Sequence, residues 1–435
     1  MSDRHRRTAR ADYENASHGQ RLLSRNRRSD SVFREYFRLL GKFLVFGNVY
    51  DYLGRNREEF AYREPEFSEN DFFILDARNL MKKLVFAVVV SFVASAVYAE
   101  TSVTLYGGAD GGITVQKLKG KSATVKFANG SLDTNMFGIT GTEDLGSGNS
   151  VFFRLEQGYV LSNGKEDDDS GDKAFNRQAY LGFTSRLGQV AFGRIGALGS
   201  YNGEYSISGS SAYNTSFSAL SNIHSAFILT DWMNNTIAYL SPNLNGWKLH
   251  ATYSNGVNED SEKWSRNKHY YGLGATFEDQ AFRLGAYWEM LDNKGSDGFS
   301  KPKATNLFTT QASYDFGTFK LFGVYQYALH SMKLPNYTEI EGAHKGANQH
   351  ALALSVAVPF AGGSARFQTQ GALGKLKDTG EKYNSFSLGA AYLYPLSKRT
   401  TLYTQAGWGT TGKAFKKYDS GLGGWAATFG LGHNF

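Results

Sequence analysis

The last thirteen residues, Gly423 to Phe435, read GGWAATFGLGHNF and place Trp425, Ala427, Phe429, Leu431, His433 and Phe435 on one parity, with mostly small or polar residues on the other. Side chains of a β-strand alternate between two faces, so this spacing describes a ribbon with one greasy side and one wet side. A strand of that kind ending on an aromatic carboxy-terminus suits a sheet whose outer face meets lipid and whose inner face meets water.

Composition agrees with many strands joined by glycine-bearing turns: Gly 49, Tyr 26 and Phe 32 stand against Pro 6 and Cys 0 in 435 residues. The mean hydropathy of -0.40 has a soluble value, but a wall that is apolar only at every second position hides its lipid face from such an average. With no cysteine, disulfides, thiolate metal sites and a cysteine nucleophile are excluded. The formal charge of +7 does not argue for nucleic acid, because from Glu100 onward 30 Lys+Arg face 27 Asp+Glu.

Met81-Lys82-Lys83 followed by LVFAVVVSFVASAVYA has the basic start, short apolar core and small residues of a secretory signal cut after Ala99. The apolar run is short for a spanning helix, and nothing later reaches the ~18 consecutive apolar residues that one needs. Residues 1 to 80 carry 14 Arg and a single Lys, whereas the rest of the chain has 24 Lys and 8 Arg. The expected division is therefore an upstream extension over 1–80, a signal over 81–99 and a barrel over 100–435. An initiator at Met81 or a genuine cytoplasmic extension both fit the prefix, and the first is favoured because a secretory signal works from the beginning of a chain.

Val103, Leu105, Ala109, Ile113 and Val115 alternate with Thr104, Tyr106, Asp110 and Thr114, which opens the mature chain as a long strand. Strand pairs then recur across DLGSGN, SRLGQ, SPNLNG, EDQA, DFGT, PFAGGS and PLSKRT, with long polar connections between them. Seven hairpins plus a first and a last segment predict an all-β fold, a 16-stranded antiparallel transmembrane β-barrel. The even count allows closure, and in lipid each unpaired backbone group costs several kcal/mol, so a sheet there has no free edge. A soluble β-sandwich is the bland alternative, but it accounts poorly for a secretory signal, long alternating segments and a terminal aromatic together.

MFGITGTEDLGSGNSVFFRLEQGY, FNRQAYLGFTSRLGQVAFGRIG, NTIAYLSPNLNGWKLHATYS and the terminal GLGHNF resemble the Gram-negative general porins, above all the neisserial and β-proteobacterial type, over residues 100 to 435. The resemblance implies a homotrimer of barrels in the outer membrane. Membrane lipid and lipopolysaccharide would be its surroundings and small hydrophilic solutes its cargo, with no cofactor. It also implies that the third long loop, here Gly196 to about Thr230, folds into the lumen, where basic wall residues face acids on the loop. Arg177 and Arg194 match the basic positions of their motifs, Glu204 is the loop's carboxylate, and Arg154 faces the lumen by parity. Arg177, however, shares its parity with outward Ala179, Leu181 and Phe183. A charge at the middle of the lipid face would cost about 2 to 4 kcal/mol, so it belongs near a rim, at a bulge or against another subunit. Lys248, Arg283, Arg366 and Glu289 fall on the lumen side of their strands, as do Asp110 and Glu156.

Other chemistry finds little support. KEDDDSGDK over 165–173 offers oxygen ligands without EF-hand spacing, and the nine histidines form no HExxH or close ligand pair. A barrel hydrolase would need a Ser/His or paired-carboxylate constellation at a rim, and no such motif stands out. A solute-specific channel would need an aromatic track, for which Tyr201, Tyr205 and Tyr213 are candidates.

Overall fold

The computed structural model describes residues 101–167, 173–200, 203–208, 226–257, 264–294, 302–335, 338–415 and 423–435. The proposed extension and signal, Tyr201, Tyr213 and residues 168–172 of the acidic run lie outside the described residues. Among the described residues no helix is long and apolar enough to cross a membrane.

The described residues include seventeen strands that form one antiparallel sheet. The first eight are β1 Thr101–Leu118, β2 Thr124–Asn129, β3 Met136–Gly146, β4 Asn149–Gly158, β5 Ala179–Ser185, β6 Gly188–Gly196, β7 Trp232–Leu240 and β8 Trp247–Asn255. Then come β9 His269–Glu278, β10 Phe282–Leu291, β11 Thr305–Asp315, β12 Lys320–Ser331 and β13 Ala347–Phe360. The last four are β14 Gly363–Leu376, β15 Lys382–Pro395, β16 Thr400–Thr411 and β17 Gly424–Asn434. The extra strand leaves the barrel at sixteen staves, because β2 and β3 lie end to end along the same edge of β1. β1 then pairs with β17 on its other edge, from Gly108 opposite Asn434 to Leu118 opposite Gly424, and closes the ring.

Closure is completed at the carboxy-terminus. Gly107 N–H donates to Phe435 O at 3.1 Å and Phe435 N–H returns the bond to Gly107 O at 2.9 Å. A Cβ on residue 107 would come within 2.5 Å of the Phe435 ring, so glycine is required where the final aromatic crosses the first strand. The seven sequence-predicted hairpins all form. In the first, Gly146, Ser147 and Gly148 have φ of 81°, 55° and 77°, a left-handed run that glycine adopts at least cost and that suits the twist of a tight hairpin.

Burial follows parity around the wall. Val103, Leu105, Ile113, Leu181, Leu352, Phe367 and Phe429 stand exposed on the outside, while Asp110, Thr114, Gln311, Gln326, Gln349 and Gln370 are buried on the inside. The barrel is thus inverted relative to a soluble protein, with its greasy residues outward and its hydrogen-bonding residues inward. Its packed interior lies between the wall and the ends of the β6–β7 connection. Ala226, Phe227 and Leu229 pack on Val324, Ala351, Ala353 and Ala372, and Tyr205 joins Tyr180, Ala191, Ile195, Ala238 and Leu240.

Candidate functional site

The inner wall of β1, β4 and β5 carries the first cluster. Arg154 on β4 stands directly opposite Tyr180 on β5, and its guanidinium lies 5.7 Å from the centre of the Tyr106 ring. From the β6–β7 connection Glu204 reaches Arg154, with Oε2 to Nη2 at 3.7 Å and side-chain exposures of 38% and 28%. This pair links wall to loop while keeping both charges in contact with water. Beneath it the Tyr106 hydroxyl donates to Glu156 Oε1 at 2.6 Å, and Gln178 Nε2 donates to the same oxygen at 2.8 Å.

The loop is held to the wall at both described ends. Glu289 on β10 is buried, and its Oε1 accepts from Gly199 N–H at 3.0 Å, Thr230 Oγ1 at 2.6 Å and the Tyr270 hydroxyl at 2.8 Å. One carboxylate therefore ties the start of the connection to its end. Farther round the barrel a row of amides takes over. Gln311 Nε2 donates to Ile207 O, and Gln326 bonds both the N–H and the carbonyl of Ile228 at 2.9 Å. Gln370 Oε1 accepts from Ala226 N–H at 3.0 Å, and Gln349 Nε2 donates to Ala226 O at 2.8 Å. An amide offers a donor and an acceptor at one tip, which is what a passing strand-like backbone needs.

These contacts place the sequence-predicted residues unequally. Arg154 and Glu204 meet. Arg177 precedes β5 instead of lying on it, so strand parity does not govern it. It is buried 3.7 Å from Glu156, with its guanidinium 5.1 Å from the Trp232 ring centre, and does not stand in the open lumen. Arg194 sits at the register shift between Gly193 and Ile195 and is half-buried, donating to Asn176 O at 2.9 Å and to Asn234 Oδ1 at 2.6 Å. It ties strand ends together. Glu289 points inward but is sealed under the loop, so its place is an anchor and not a lumen lining. Lys248, Arg283 and Arg366 face inward near the short-turn rim, Arg283 paired with Glu278 at 2.5 Å and Arg366 Nε 3.4 Å from Ser364 Oγ.

Tyr205 is only 1% exposed, and burial pushes its phenol above the ordinary range. It packs edge-on to Tyr180 at 6.0 Å and offers no face to a passing solute. Among the described residues no group of three or more His, Cys, Asp or Glu is placed to hold a metal ion. The four glutamines escaped the sequence reading, although each lies at an inward position of a long alternating strand. Nothing in the alternation says that a loop 98 to 144 residues away in sequence will cover them.

Comparison with known proteins agrees with this architecture. A family model described as Gram-negative porin matches residues 86–414. An outer membrane porin protein of Bordetella pertussis is 27% identical over 373 residues, covering 74% of this chain and 93% of that one. The major outer membrane protein P.IB of Neisseria meningitidis serogroup B is 25% identical over 369 residues, covering 82% of this chain and 100% of its own. Among solved structures, an anion-selective porin from Comamonas acidovorans superposes with a TM-score of 0.56 at 22% identity, covering 77% of this chain and 100% of that one. With a matched model spanning most of its length and a closed sixteen-stave barrel, the chain belongs to the Gram-negative porin family and is a multi-pass protein of the outer membrane.

Proposed function

We propose that small hydrophilic solutes diffuse through this porin past a constriction whose charges are Arg154 on the wall and Glu204 on the β6–β7 connection, with no bond made or broken. The observation that carries the reading is the 3.7 Å contact between those two groups, both still partly exposed. Opposite charges set side by side at the edge of a narrow passage act on permeating ions without binding them tightly. Inward Lys248 and Arg366 add positive charge toward the short-turn mouth, where Arg283 is balanced by Glu278, and this favours anions. The buried ring of Tyr205 removes one of the three tyrosines considered for an aromatic track. A homotrimer in lipid and lipopolysaccharide completes the reading. An OmpT from Vibrio cholerae has been solved in a trimer form, and the exposed apolar wall needs lipid or other subunits around it.

The test is planar-bilayer recording of the purified protein in a salt gradient. Steady ohmic channels with a reversal potential on the anion side are expected. Glu204→Gln should move that potential farther toward anions and Arg154→Gln should move it back. Bilayers that stay insulating would remove the reading, and identical potentials in all three proteins would remove these two residues from it.

A further inference from the structure

The junction of β2 with β3 does not follow the wall. Asn129 pairs with Gly111 and Met136 with Gly108, so β1 crosses the gap with two residues, Ala109 and Asp110, while its partner uses six, Gly130 to Asn135. The surplus cannot lie in the sheet and is thrown to one side. That side is the lumen, because inward-facing groups hold it.

Asp110 is the main anchor. Its Oδ2 accepts from Leu132 N–H and Asp133 N–H, both at 2.6 Å, and its Oδ1 accepts from the Tyr403 hydroxyl at 2.5 Å. Its own N–H donates to Asn135 Oδ1 at 2.5 Å, and its carbonyl accepts from Gly130 N–H at 3.0 Å. Leu132 packs against Ala391, Leu393 and Tyr403, inward residues of β15 and β16, and Gln405 Nε2 donates to Ser131 O at 3.4 Å. Ser131 to Thr134 are only half-buried, so the anchored segment keeps one face toward the channel.

The β6–β7 connection touches β4, β10, β11, β12, β13 and β14. The six-residue excursion touches β1, β15 and β16, and β17 through Asn434 Nδ2 donating to Asp133 Oδ2 at 3.3 Å, on the remaining arc of the wall. We propose that Gly130–Asn135 is a second lip of the constriction, a shelf that faces the β6–β7 connection and limits the size of solute that passes. Asp133 places a carboxylate on that lip. The shelf deepens the porin reading and rests on it.

The chain has no cysteine, so Ser131→Cys introduces the single thiol. In bilayer recordings of this variant, an anionic methanethiosulfonate and a cationic one, each added to open channels, should lower single-channel conductance in steps, by different amounts for the two charges. Ser397→Cys, in an exposed short turn, should show no such step. A Ser131→Cys channel that conducts but takes no label, or takes it by intact mass without a change in conductance, overturns the shelf and leaves the porin reading standing. A protein that never conducts removes both. Leu132→Ala gives a second reading without labelling: in liposome swelling the rate for a trisaccharide should rise relative to that for a monosaccharide. An unchanged ratio in protein that shows normal heat-modifiable migration counts against the shelf.

Discussion

At the scale of single residues, the alternation locates a side chain on a face but not its partner. Arg154 and Glu289 both face inward, yet one keeps contact with water beside Glu204 and the other disappears beneath a loop. Inwardness was legible in the sequence because period two is local geometry. Coverage was not, because it depends on where a distant segment comes to rest. Turn residues are easier, since their partners are near in sequence. Asp279 accepts from Phe282 N–H at 2.7 Å and Ala281 N–H at 2.9 Å, and these two donors hold its carboxyl below the usual aspartate range. A group depressed in this way adds stability that is fully present above its unfolded pKa and is lost as pH falls through the folded value. The β9–β10 turn should accordingly stay intact through the ordinary aspartate range and loosen only below it. Carboxylate-carbon NMR of detergent-solubilised protein checks this, and a midpoint at or above the ordinary value would contradict it.

Among elements, the β6–β7 connection is the one that reaches widely around the inner wall. It is fastened by Glu289 at its two ends and by glutamines on β11, β12, β13 and β14 beyond them. Backbone groups that leave a sheet and enter a confined lumen still need partners, and an amide row supplies them without adding charge to the channel. Gln326→Leu would leave the buried N–H and carbonyl of Ile228 unpaired at a cost of about 1–3 kcal/mol for each group. The expected outcome is a looser connection, seen as extra conductance sublevels and noisier single-channel current than in the unaltered protein. β2 was not legible in the sequence, because its TVKFAN lies within a stretch, KLKGKSATVKFANG, that reads as a long polar connection; only the shared edge of β1 reveals that β2 and β3 form one stave.

The whole molecule depends on closure in lipid. Leu352 stands in β13 between Tyr325 and Gly371 and is 51% exposed on the outer face. Leu352→Arg should destabilise the barrel by about 2–4 kcal/mol, measurable as a shift in denaturant midpoint in lipid vesicles, whereas a shift near zero would place that face away from the bilayer centre. The number of staves, the seven short turns, the sorting of greasy from wet faces and the terminal aromatic that closes the ring were all determined by the sequence alone. Each follows from a repeat of two residues or from a turn of a few residues, and such signals survive without any knowledge of long-range contacts. Tertiary structure decided the rest: which inward charges remain in water, which partners Arg177 and Arg194 find, and which wall residues hold the β6–β7 connection. Those outcomes turn on backbone groups competing for partners across a barrel whose opposite walls are far apart in sequence, and that competition exists only once the ring has closed.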